Sequence, residues 1–109
     1  MFQIASKSTC KWPVNVQVPQ DGGKRAKQSF TAEFMLLPPE RQHALKNGVI
    51  PDEEFLCDVV VGWSGVNDAD GVDLPFSDEA RDRLVAIPYV RAALIEAYFD
   101  FVAGGRLKN

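Results

Sequence analysis

Trp12-Pro13-Val14-Asn15-Val16-Gln17-Val18, then Gln20-Asp21-Gly22-Gly23, then Ala26-Lys27-Gln28-Ser29-Phe30-Thr31-Ala32-Glu33-Phe34-Met35-Leu36 is the stretch that decides the fold. In the first segment Trp12, Val14, Val16 and Val18 alternate with polar residues and Pro13. A period of two puts the apolar residues on one side of a strand. Pro13 has no N–H to give to a ladder, so this strand belongs at a sheet edge or outside the paired region. The glycine pair in the middle can reach positive φ without a Cβ clash and marks a turn. Beyond it Ala26, Gln28, Phe30, Ala32, Phe34 and Leu36 alternate with Lys27, Ser29, Thr31 and Glu33. The three pieces make a β-hairpin with one apolar face. A lone hairpin is marginal in water, so that face needs a cover from elsewhere in the chain or from a partner.

Downstream of Pro38-Pro39 the apolar period becomes helical. Glu40 to Lys46 predicts a short helix stopped at Asn47-Gly48. After Pro51, the carboxylates Asp52, Glu53 and Glu54 suit a helix N-terminus, and Phe55, Leu56, Val59, Val60 and Trp63 recur at helical spacing. The run Val59-Val60-Val61 reads equally as helix or strand. Gly65 to Pro75 is a loop rich in Asp, Asn and Gly. Ser77 is an N-cap, with Asp78 and Glu79 in the first turn of a third helix that uses Ala80, Leu84 and Ile87. Pro88 separates this helix from a fourth that ends near Ala103. Leu94, Ala97, Tyr98 and Phe101 line one side of the fourth, while Ile95, Phe99 and Val102 add apolar surface elsewhere, so it is either central in the core or part of an interface. The expected fold is therefore α+β, an N-terminal β-hairpin followed by about four α-helices, in a single domain over residues 1–109.

Composition narrows the function. The chain has 12 Lys plus Arg against 15 Asp plus Glu, a net charge of −3 that argues against nucleic-acid binding. Its short basic cluster, Lys24, Arg25 and Lys27, falls at the turn and reads as solvated charge. Cys10 and Cys57 are too few and too far apart for a disulfide framework and read as reduced thiols. Phe2 to Thr9 is too polar for a signal peptide, and Ala92 to Ala103 is too short to span a bilayer.

Candidate sites for chemistry are thin. Asn67-Asp68-Ala69-Asp70-Gly71 resembles part of an EF-hand loop, but positions one and twelve would be Val66 and Ser77, so two ligands are missing and an Asx-type turn is the better reading. Cys10, His43 and Cys57 lack zinc-site spacing. Cys57 with His43 is the one nucleophile–base pairing the chain can offer, and Cys57 falls beside an apolar stripe where a small buried thiol is common. Asp78/Asp82 and Glu96/Asp100 stand four apart on helices and read as solvated faces. No catalytic residue, metal or cofactor is expected. The residues picked for partner contact are the aromatics and the proline near loops and on the last helix: Trp63, Pro75, Phe76, Tyr89, Tyr98 and Phe99. For Trp63 and Phe76, core packing is the competing explanation.

Val59-Val60-Val61-Gly62-Trp63-Ser64-Gly65-Val66, Asp68-Ala69-Asp70-Gly71, Leu74-Pro75-Phe76-Ser77 and Ile87-Pro88-Tyr89-Val90-Arg91-Ala92-Ala93 together resemble the tail assembly chaperones of phages with long, non-contractile, lambda-like tails. Val14-Asn15-Val16 and Phe30-Thr31-Ala32-Glu33-Phe34 are similar to the start of that family, so the likeness covers most of the chain from Trp12. It implies a non-enzymatic viral or prophage protein that binds the tape measure protein and helps recruit tail tube subunits. Such a protein acts in the host cytoplasm and is not expected in the mature virion. The family brings no catalytic residue or cofactor. The ending Leu107-Lys108-Asn109 fits an A-rich slippery heptamer for a frameshifted longer form, which the gene would show. Weak homo-oligomers through the apolar last helix are a further expectation. The alternatives are a structural tail completion or terminator subunit, or a small phage protein that binds a host enzyme.

Overall fold

The computed structural model describes residues 9–36, 40, 47–48 and 51–103. The hairpin forms as expected. β1 (Thr9–Pro19) and β2 (Arg25–Met35) pair antiparallel with Val14 opposite Phe30 and Trp12 opposite Ala32. A 3₁₀ turn at Asp21–Gly23 joins them, with Gly22 and Gly23 at φ of 82° and 79°. Val14 and Val16 are buried while Asn15 and Gln17 are exposed, which is the alternation read from the sequence. β1 begins three residues before Trp12. Leu36 lies outside β2 and is 53% exposed, so the inward series stops at Phe34.

The main departure follows α1 (Asp52–Val59), whose first turn carries Asp52, Glu53 and Glu54. This helix does not continue to Trp63. The chain turns at Val60 into a third strand, β3 (Val60–Ser64), which pairs antiparallel with β2 and gives the order β1-β2-β3. The register skips between Glu33 and Phe34: Glu33 faces Gly62 but Phe34 faces Val60, leaving Val61 as the extra residue of a bulge. That bulge has a packing consequence. Val60 is 1% exposed and Trp63 packs against the core, although three residues of regular strand would put them on opposite faces. The displaced Val61 is 39% exposed.

Directly paired residues share a face, so Trp12, Ala32 and Trp63 form one row across the sheet, with the smallest side chain between two indoles. β1, one of the two edge strands, holds Pro13, where a missing N–H does least harm.

The remaining elements are α2 (Asp78–Val85) and α3 (Pro88–Ala103). Ser77 caps α2, its Oγ accepting from the Ala80 N–H at 3.0 Å. Among the described residues there are three α-helices rather than about four; the expected helix Glu40 to Lys46 falls almost wholly outside them. α3 lies against β1, and all three helices touch one another. Arg91 ties them together, donating to Glu53 Oε1 at 2.9 Å on α1 and to the Val85 carbonyl at 3.4 Å on α2.

The core lies between the sheet and the helices and is centred on Tyr98, which is fully buried with its ring edge-on to Phe34 at 5.5 Å and to Phe55 at 5.0 Å. Two expectations are corrected here. Tyr98 is not a surface contact residue, and Asp100, 5% exposed, is not on a solvated face with Glu96. Asp78 and Asp82 are exposed, as read. No helix among the described residues is long and apolar enough to cross a membrane.

Candidate functional site

The distal half of the hairpin extends past the body of the sheet, where no third strand accompanies it among the described residues. Val16, Val18 and Phe30 therefore reach the α2–α3 junction and the loop after β3. Together they line a cleft of about 370 Å³ completed by Val66, Leu84, Ile87, Tyr89 and Val90. The junction is held tightly. Ile87 N–H bonds to the Leu84 carbonyl at 3.1 Å, and the Ile87 carbonyl accepts from Val90 at 3.1 Å and Arg91 at 2.9 Å. Pro88 opens α3, a position whose N–H would have no helical partner in any case.

One wall of the cleft comes from the loop that resembled an EF-hand. Asp68 Oδ1 accepts from the N–H of Asp70 at 2.9 Å and of Val72 at 3.0 Å, and the Asp68 N–H bonds to the Val72 carbonyl at 2.8 Å. Gly71 turns at φ of 80°. This is the Asx turn favoured in the sequence reading: the carboxylate fixes its own loop. Leu74 N–H to the Val66 carbonyl, at 2.8 Å, closes the base and keeps Val66 buried at the cleft edge.

Trp63 and Phe76 hold that loop from the other side. Their rings meet edge to face at 4.9 Å, and Trp63 Nε1 donates to the Leu74 carbonyl at 2.9 Å. Both are half-buried and pack against the core, and they also line a hollow of about 240 Å³ beside β3. Pro75 is exposed. Phe99 is half-buried next to Tyr98 at 6.1 Å. Of the six residues picked for partner contact, only Tyr89 reaches the cleft. Tyr89 is 37% exposed and also lines a second groove, of about 480 Å³, between β1 and α3. Sequence reasoning missed Val18, Phe30 and Ile87 as site residues. The available signal was that Val18 and Phe30 continue the apolar alternation toward the turn, further than a compact domain needs.

Cys57 shows no sign of activation. Its Sγ donates to Asp82 Oδ1 at 3.2 Å. Burial, then the Asp82 hydrogen bond and charge, push the thiol above its ordinary value, whereas a nucleophilic cysteine needs the opposite shift. The Asp82 carboxyl is drawn below its usual range by the Cys57 hydrogen bond and then by Arg81. His43, its suggested base, lies outside the described residues. With iodoacetamide at pH 8, exposed Cys10 is expected to react first and Cys57 at least about tenfold more slowly, because less of it is thiolate and access is partial. Peptide mapping over time checks this; equal rates would contradict the half-buried, proton-holding geometry.

Among the described residues the arrangement offers a largely apolar cleft whose rim is held by backbone hydrogen bonds. Comparison with protein-family profiles, curated proteins and solved structures finds no match to this chain.

Proposed function

We propose that this chain is a tail assembly chaperone of a phage with a long, non-contractile tail, a binding module without catalysis. In this reading it covers apolar surface on the tape measure protein and helps gather tail tube subunits around it in the host cytoplasm. The observation that carries the proposal is a convergence. The segments that resemble that family are scattered over the hairpin, the loop after β3 and the junction before α3, yet five of the six, all but Leu74-Pro75-Phe76-Ser77, place residues (Val16, Phe30, Val66, Asp68, Ile87 and Tyr89) in the lining of the same cleft.

The chemistry of the cleft suits such a partner. A long helical protein awaiting assembly presents apolar stripes that aggregate unless covered, and an apolar cleft accepts side chains from one face of a helix. Many copies along one partner hold it through multivalency even when each contact is weak. The acidic balance of the chain keeps the covered complex soluble.

Co-expression with the tape measure protein from the same genome tests this. The wild-type chain should co-purify with it and keep it soluble. Gln28 is exposed on the cleft wall, opposite Val16 in the ladder. Gln28→Trp should fill the cleft without emptying any core position and weaken capture by about tenfold. Absence of co-purification with the wild-type chain, or undiminished capture by Gln28→Trp, would count against the assignment.

A further inference from the structure

We infer that the loop over residues 67–73 is the recognition wall of the cleft, and that it selects a helix whose apolar stripe is bordered by lysine or arginine. The inference rests on the reading of the cleft as a binding site, not on the identity of the partner. Two observations carry it. The first is charge. Among the described residues Asp68 is the one charged side chain in the lining, and Asp70 and Asp73 continue the same loop. No Lys or Arg occurs between residues 51 and 80. All three carboxylates are exposed, and among the described residues none is paired with a cation. The hairpin wall, Val16, Val18, Gln28, Ser29 and Phe30, is uncharged. A segment entering the cleft therefore meets negative charge on one side only.

The second observation is an apolar knob on the same loop. Val72 is 60% exposed, yet its backbone is fixed. Its N–H donates to Asp68 Oδ1 at 3.0 Å, and its carbonyl accepts from the Asp68 N–H at 2.8 Å. Those two bonds hold the knob beside the cleft wall, with Asp70 and Asp73 close to it in the chain. An exposed group whose backbone is already immobilised loses little further freedom when a partner covers it. The loop thus presents apolar surface edged by carboxylates, and its complement is apolar surface edged by cations. On a helix that is a stripe at i, i+3, i+4 and i+7 with Lys or Arg beside it. The same charge disfavours phosphate backbones and anionic membranes. A second copy does not supply the complement from the described helices. α1 opens with Asp52, Glu53 and Glu54, α2 sets Arg81 against Asp78 and Asp82, and Arg91, the single cation of α3, already donates to Glu53. The occupant is a different polypeptide.

Three synthetic helical peptides of about 18 residues, sharing one leucine stripe and bordered by Lys, Gln or Glu, read the preference by fluorescence anisotropy. The Lys-bordered peptide should bind the wild-type chain about tenfold tighter than the Glu-bordered one, with Gln between, since each exposed ion pair contributes a few-fold at most and several are made. The gap should narrow as salt rises. Asp68→Asn keeps an oxygen for the Asp70 and Val72 amides but loses the charge, so it should reduce the preference and leave the circular dichroism melt unchanged. Asp70→Lys combined with Asp73→Lys should turn the preference toward the Glu-bordered peptide, an inversion that a merely damaged fold does not produce. Equal binding of the three peptides by the wild-type chain, binding of none at millimolar concentration, or a preference that survives the double reversal would each overturn the inference. So would a Lys-rich peptide kept extended by proline that binds as tightly as the helical one. Co-purification with the tape measure protein is a separate readout. Capture without a preference among the peptides overturns this inference and leaves the proposed function standing; a preference without capture supports the inference and counts against that function.

Discussion

Tyr98→Ala should destabilise the domain by about 3–5 kcal/mol, the range for emptying a large aromatic from a closed core. The ring has no exposed surface, and it lies within 6.1 Å, centroid to centroid, of Phe34, Phe55, Phe99 and Phe101. These four phenylalanines come from β2, α1 and α3, so the cavity opens where three elements meet and none can close it by moving alone. Domains of this size hold about 5–15 kcal/mol in total, so the loss removes a large fraction of the stability. Urea unfolding followed by tryptophan fluorescence reads it directly, since Trp12 and Trp63 lie at opposite edges of the sheet. The midpoint should fall by roughly 1–4 M with little change in slope. Tyr89→Ala is the control: at a residue 37% exposed it should shift stability by no more than about 0.5 kcal/mol. A Tyr98→Ala protein as stable as Tyr89→Ala would mean the helix is rotated from the arrangement described.

That pair of tyrosines shows where the sequence was legible and where it was not. Tyr89 and Tyr98 are nine residues apart, which at about 100° per residue puts them on opposite sides of α3. A helix with one apolar stripe would reveal which side faces inward. α3 carries apolar residues nearly all round, so both tyrosines looked equally suited to contact, and only packing against β1 and Phe34 distinguishes them. Asp100 was misjudged for the same reason: a carboxylate four residues from Glu96 suggests a wet face, but this end of the helix is enclosed on more sides. The hairpin was readable because strict alternation, a glycine turn and Pro13 at an edge are local features that agree with one another. The cleft was not, since its walls come from segments more than 50 residues apart and no local pattern encodes their meeting. The bounds of α3 were readable at Pro88, whose ring fixes where a helix can begin.

The missed third strand has a sharper cause, and proline substitution in β2 tests it. A bulge at Val61 leaves Val60 and Trp63 both facing inward at a spacing of three, which imitates the spacing of a helix. If β2 paired only with β1, the N–H groups of adjacent residues would alternate between β1 and solvent. One of any two neighbouring positions would then accept proline at little cost. With β3 in place, Ala32 lies between Trp12 and Trp63, and Glu33 between Lys11 and Gly62, so the N–H of each points into a ladder. Both Ala32→Pro and Glu33→Pro are therefore expected to cost about 3 kcal/mol or more. Ala32→Pro should be the worse, because its ring must also fit a site with no exposed surface between two tryptophans. Ala32→Gly separates backbone from packing: it keeps the N–H and should cost only about 1 kcal/mol. Amide dispersion in a proton–nitrogen spectrum, with urea midpoints, decides the outcome. Loss of the folded spectrum in both proline variants places β2 at the centre of three strands; a folded, near-native protein from either one would return it to the edge of a simple hairpin.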